Sequence, residues 1–196
     1  MEQTEPKLAP PGAGISLLQK LVGQYVLLPL YCRKITWEQV PEKLEQQGES
    51  LLRMAEGRSE QELIGRVLVP PQIGLEDSSR YHSYAMVLEH LTIVGNATAE
   101  IVFELTHHRR PEGQVKIVDL KPKGGRPAAD AMENYRSMLD RFRSRTVDEA
   151  GDRKSRLAHP HPWFGSLVAL RWLCFAPFHQ EIHIKQARLI LDRSAR

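Results

Sequence analysis

Trp172-Leu173-Cys174-Phe175-Ala176-Pro177-Phe178-His179-Gln180-Glu181-Ile182-His183 reads as the middle of a long helix running from about Leu167 to Leu191. At 3.6 residues per turn, His179 and His183 stand one turn apart on one face, so both imidazoles can approach a single point. Val168, Trp172, Phe175, Gln186 and Ile190 fall within roughly 40° of the same direction at about 100° per residue. The two histidines therefore lie in the middle of the apolar stripe. Solvent-facing positions go to Arg171, Gln180, Glu181, Lys185 and Arg188. A neutral imidazole in a core must satisfy one donor and one acceptor, and two side by side suggest a shared ligand. The alternative is a pair of core histidines bonded to a buried water or to Gln186.

A third inward histidine, His90, lies in Tyr84-Ala85-Met86-Val87-Leu88-Glu89-His90-Leu91-Thr92-Ile93-Val94, the start of a second long amphipathic helix. Met86, Val87, Val94, Ala97 and Ile101 share its direction, whereas Glu89, Asn96 and Glu100 point elsewhere. Three histidines on two helices can supply three metal ligands and leave a fourth position open, as catalytic zinc-type sites do.

Two blocks carry a family resemblance. One is Gly74-Leu75-Glu76-Asp77-Ser78-Ser79-Arg80-Tyr81-His82-Ser83-Tyr84, followed by Met86 to Leu91. The other is His161-Pro162-Trp163-Phe164-Gly165-Ser166-Leu167, with His179-Gln180-Glu181-Ile182-His183 downstream. Together they resemble the DinB-like (DinB/YfiT) metalloenzymes, in which an H-P-x-F-G-x-L block opens the last helix and H-x-x-x-H lies within it. The resemblance covers roughly residues 40 to 192. It implies an all-α, up-down-type four-helix bundle with one metal ligand from the second helix and two from the fourth. Those roles map onto His90, His179 and His183. Imidazole ligands suit zinc or nickel, with iron as a further candidate, and the resemblance implies thiol-dependent S-transferase or isomerase chemistry with a low-molecular-weight thiol. Relatives often dimerise through helix faces, which implies a homodimer here. The chain departs from the pattern at His82, where many relatives carry Trp; lying near the mouth of the expected site, His82 is a candidate substrate-side residue. It departs again at Pro177, which removes a helix hydrogen bond and is expected to bend the last helix.

The remaining elements follow from periodicity and breakers. Val40 to Glu56 is the expected first bundle helix, with Pro41 in its first turn. Ser59 to Val69 reads as a short helix stopped by Pro70-Pro71, and Ser78 or Ser79 as the cap of the second long helix, which runs to about Leu105. Val115 to Leu120 alternates like a short extended segment. Pro127 opens a third helix with the stripe Ala128, Ala131, Met132, Tyr135, Met138, Leu139 and Phe142, and Glu149 to His161 is a charged connector. Residues 1–39 form an N-terminal extension. Its acidic Met1-Glu2-Gln3-Thr4-Glu5 and its Ala9-Pro10-Pro11-Gly12 linker do not resemble a secretory leader. Its apolar run Leu17 to Cys32 is interrupted by Lys20, Gln24 and Pro29 and is too short to span a bilayer, which needs about 20 apolar residues. It is expected to be an accessory helix on the bundle.

The 196 residues carry a net charge of +3 and 41% hydrophobic residues, the balance of one soluble domain with an extension. Two distant cysteines, Cys32 and Cys174, give no disulfide framework and suit a reducing, cytoplasmic setting. The arginines between Arg136 and Arg156 are interleaved with acids and read as a solvated face, so nucleic-acid binding is not expected. His107-His108 reads as an exposed loop pair. Gly124-Gly125-Arg126-Pro127 precedes a helix and could offer amides to an anion, but it lacks a Walker Lys-Ser/Thr. Two functional expectations result. One is a metal-dependent enzyme, a thiol S-transferase or related hydrolase, acting on an electrophile with a thiol or water as the reactive group. The other is a non-catalytic, metal-stabilised bundle acting in binding, stress response or assembly.

Overall fold

The structure is a computed structural model and describes residues 6–13 and 15–194; Met1 to Glu5 lie outside the described residues. In chain order the elements are α1 (Leu17–Val22), α2 (Leu28–Cys32), α3 (Gln39–Arg53), α4 (Glu60–Ile64), β1 (Val67–Leu68), β2 (Tyr81–His82), α5 (Tyr84–Thr106), α6 (Ala128–Arg143), β3 (Ala158–His161), β4 (Gly165–Val168) and α7 (Ala169–Ser194). A π-helical turn, Gly23–Leu27, joins α1 to α2. The four longest helices form a bundle: α5 packs against both α6 and α7, and α3 closes the other side against α7 and α6.

Periodicity explains this packing. On α3, Val40, Leu44 and Leu51 recur at helical spacing and are buried. On α6 the same is true of Ala128, Ala131, Tyr135, Met138, Leu139 and Phe142. Polar ties fix the helices relative to one another. The Tyr84 hydroxyl donates to the Leu51 carbonyl at 2.7 Å, and the Tyr135 hydroxyl to Gln180 Oε1 at 2.6 Å. Gln180 Nε2 in turn donates to the Leu44 carbonyl at 2.9 Å. Gln180 was expected at the surface and is instead only 1% exposed. The reason is that α7 is flanked by α5 on one side and α3 on another, so its buried arc is wider than one apolar stripe.

Three further expectations are corrected. The cap of α5 is Ser83, whose Oγ accepts from the Met86 amide at 3.1 Å, and neither Ser78 nor Ser79. Those two serines sit in a 3₁₀ turn, Asp77–Ser79, and residues 81–82 then pair with β1 in an antiparallel ladder. His161 to Leu167 does not open the last helix: β3 and β4 form a hairpin there, with His161 opposite Gly165, whose φ is +67°. Val115 to Leu120 is not extended; Ile117–Leu120 is a 3₁₀ turn. α7 continues through the buried Pro177 as one helix.

The N-terminal segment is fastened to the bundle. The Ala9 amide donates to Asp77 Oδ2 at 2.7 Å, and the Gly12 amide donates to the Glu76 carboxylate. α2 lies on α7, with Leu28 buried and the Tyr31 ring edge-on to Phe178 at 6.0 Å. Gly23 lets the segment pack closely on Phe164, since a Cβ there would come within 2.8 Å of that ring and push it aside. Cys32 and Cys174, distant in sequence, meet where α2 crosses α7, and both are free thiols. This segment also leaves apolar side chains exposed: Leu17, Leu18, Leu21, Tyr25, Val26 and Leu30.

Candidate metal centre

The three inward histidines come together. His90 Nε2 lies 3.4 Å from His179 Nε2, and His183 Nε2 lies 3.1 Å from the same atom. A tetrahedral ion with nitrogen ligands at about 2.0–2.1 Å sets those nitrogens about 3.3 Å apart. Among the described residues, this trio is the cluster that can offer three ligand atoms within 4.8 Å of one another.

The outer nitrogens decide what the inner ones can do. His90 Nδ1 donates to the Leu120 carbonyl at 2.8 Å, and His183 Nδ1 donates to Gln186 Oε1 at 2.7 Å. A neutral imidazole carries one proton, so both Nε2 atoms present lone pairs. His179 can place at most one proton among three converging nitrogens. Gln186 is itself held, its Nε2 donating to the Ser79 carbonyl at 2.6 Å. This is the carbonyl-to-imidazole support that orients metal-ligating histidines. Burial keeps the rings neutral: it pushes His90 down to about 4, and His179 and His183 well below the usual histidine value. The residues present thus fit a single borderline-soft cation such as zinc or nickel.

A cavity of about 70 Å³ opens beside the trio. Its apolar lining includes Val94, Ile101, Ile117, Trp172 and Phe175, and its polar lining, besides the trio, includes Glu76, Lys121 and His161. Glu76, only 5% exposed, is ion-paired with Lys121, whose Nζ also donates to Ser78 Oγ at 2.6 Å and Ser79 Oγ at 2.9 Å. The carboxylate is therefore neutralised on the spot. His161 Nδ1 accepts from the backbone amides of Trp163 at 3.1 Å and Phe164 at 3.3 Å. The ring is further held by Trp172 and Phe175, at centroid separations of 4.9 and 4.5 Å. With Nδ1 occupied as an acceptor and burial pushing the ring down to about 3, the proton resides on Nε2. His161 therefore offers the cavity a neutral N–H donor.

In the sequence His161 and Glu76 stand out only as members of the two motif blocks, and Lys121 not at all. An internal hydrogen bond to a turn and an ion pair spanning 45 residues leave no periodic trace. His82 lines neither this cavity nor the groove described below. It is buried on β2, its Nδ1 has no hydrogen-bond partner, and burial followed by the nearby His90 pushes it down to about 3. Pro162 and Trp163 of the β3–β4 hairpin, in contrast, do line the cavity.

Other sequence signals have structural partners. The Lys123 and Gly124 amides donate to the Glu89 carboxylate, so the glycine loop's amides are engaged within the chain. His107 Nδ1 bonds the Phe103 carbonyl at 2.8 Å, and His108 lies 3.2 Å from Asp152. Arg145 pairs with Glu100 and Glu149, Arg143 with Glu45, and Arg153 with Glu38.

No protein-family model matches the chain. No curated protein sequence matches it either. Among solved structures, the chain is similar to TT2238, described as a four-helix bundle protein, at 24% sequence identity and a TM-score of 0.50. The match covers 78% of this chain and 98% of that one. At that identity the likeness establishes the shared fold, a four-helix bundle, and nothing about chemistry.

Proposed function

We infer that this chain is a metal-binding, DinB-like up-down bundle that works as a metal-dependent enzyme, a low-molecular-weight-thiol S-transferase or related hydrolase. The observation that carries the reading is the convergence of three Nε2 atoms while two of the three outer nitrogens are tied to Leu120 and Gln186. A bound zinc or nickel ion would lower the pKa of a thiol or water and polarise an electrophile. The protein's own part is to orient His90, His179 and His183 as ligands and to keep the cavity apolar. His161 Nε2–H is available to donate to an acceptor atom of the bound molecule. Glu76 and Lys121 cancel one another and so leave the site's charge to the metal. A purely structural, closed site would call for a fourth protein ligand; the cluster among the described residues has three.

Metal content measured by mass spectrometry on tag-free protein tests this directly. The wild type is expected to carry about one zinc or nickel per chain, and the His179→Ala/His183→Ala variant none. Equal metal content in the two, or no uptake by either on incubation with zinc or nickel, defeats the reading. A loaded wild type that turns over no thiol–electrophile pair would favour the non-catalytic bundle instead.

A further inference from the structure

We propose that the metal-site cavity continues into an apolar groove beneath the N-terminal helix, and that this groove holds the hydrocarbon tail of an amphiphilic substrate or cosubstrate. The proposal rests on the metal-site reading above for the head of that molecule, and on the groove alone for its tail. The groove encloses about 550 Å³ between the α1–α2 segment and α7. It shares four wall residues with the smaller cavity: Gly74, Trp163, Phe175 and the ligand His179. The two spaces are therefore neighbours, with the ligand His179 lining both. The inner cavity is smaller than the roughly 300–1,000 Å³ typical of small-molecule sites, and the groove falls within that range. Only the reacting end of a ligand fits at the histidines, so the remainder has to run outward along the groove.

The groove's walls specify what that remainder is. They are built from Leu18, Val22, Leu27, Phe164, Phe178 and Ile182. Polar groups at its edge are Gln19, Lys20, Glu181 and Lys185, two cations against one carboxylate. Such a surface pairs with methylenes or an aromatic ring and offers little to a sugar or peptide backbone. Gly74, which lines both spaces, has φ +82° and packs closely on Ile182, whose Cδ1 a Cβ there would approach to 2.8 Å. The head, by contrast, meets the His161 donor and the three converging nitrogens, which suits an anionic or carbonyl-bearing group. The ligand class is thus a straight-chain or aromatic molecule with one metal-seeking, hydrogen-bond-accepting end.

A chain-length series tests the tail separately from the head. n-Alkylhydroxamates from acetohydroxamate to octanohydroxamate are titrated into zinc-loaded and metal-free protein, with binding read by calorimetry. In the zinc-loaded protein the affinity should rise roughly fourfold per added methylene until the groove is filled. The metal-free protein should show the same ordering at lower affinity. In Leu18→Glu/Val22→Glu, two positions at the protein surface, the gain per methylene should fall below about twofold. Circular dichroism and zinc content check that this variant is intact. A flat series in loaded wild type, or an unchanged gain in the variant, overturns the proposal. If the protein takes up no zinc, the metal reading fails and the metal-free series alone decides the groove: rising affinity supports it, a flat series ends it. Should sedimentation reveal a dimer that the double variant abolishes, with the series flat, the groove is an interface between copies and the proposal falls.

Discussion

His90 and His183 each give their single proton outward, to the Leu120 carbonyl and to Gln186, and this leaves lone pairs aimed at His179. Replacing the outward acceptor changes the inner nitrogen without touching it. Gln186→Leu frees the His183 ring to rotate and to shift its proton to Nε2, the atom that must be bare to bind a cation. Zinc affinity is expected to fall about 10- to 100-fold, as for other supporting partners of ligating histidines. His161→Phe is the contrast. It keeps the aromatic nest of Trp172 and Phe175 and removes the Nε2–H donor, so zinc affinity should stay within about threefold of wild type, because no ligand or ligand support is lost. Competition with a chromogenic zinc chelator measures both variants. Equal weakening would mean that His161 contacts the metal ligands structurally, and no weakening in Gln186→Leu would mean that the tautomer is fixed by something else.

At the scale of elements, close approach between helices carries much of the specificity. Gly95 on α5 faces Met138 on α6, and an added Cβ would run into the Met138 sulfur. Gly95→Val therefore overpacks the α5–α6 contact and is expected to cost about 1–3 kcal/mol. Met138→Ala in the same chain should return a large part of that, because it removes the atom that clashes. Urea denaturation of the two single variants and the double variant measures the coupling; strict additivity would show that the helices separate instead of competing for the space. The same elements show what the sequence could reveal. Long helices with one apolar stripe, such as α6, were legible because a 3.6-residue repeat survives over four turns. The His90, His179 and His183 positions were legible for the same reason, since each sits on a stripe. The β3–β4 hairpin was not, because four-residue strands leave no period and His161-Pro162-Trp163-Phe164-Gly165 reads equally well as the approach to a helix. Gln180 was misassigned because its burial depends on α3 being on the far side of α7, which no local pattern encodes. Glu76, Lys121 and the tautomer of His161 are tertiary facts.

The whole molecule buries an unusual number of imidazoles, and acid should reveal this. Burial pushes His82, His90 and His161 down to about 3 or 4, and His179 and His183 lower than the ordinary histidine value. An unfolded chain takes up protons on these groups as the pH falls below about 6.5, whereas the folded one does not, so the unfolded state gains. Stability of the metal-free protein should accordingly be level above pH 7 and decline from about 6.5 toward 4. Carboxylates held low by their partners, such as Asp77 beside the Ala9 amide and Arg80, act in the same direction only at lower pH. His82 offers the cleanest test, because its buried Nδ1 has no partner and it lines neither cavity. His82→Phe removes both an unsatisfied polar atom and a proton acceptor of the unfolded state. The variant should be at least as stable as wild type at pH 7. With the folded value near 3, it should gain about 2 kcal/mol more over wild type at pH 5 than at pH 7. Thermal melts of both metal-free proteins from pH 8 to 4.5 decide it: curves that diverge below pH 6.5 fit a buried neutral imidazole, and parallel curves would mean that His82 reaches solvent and titrates normally in the folded protein.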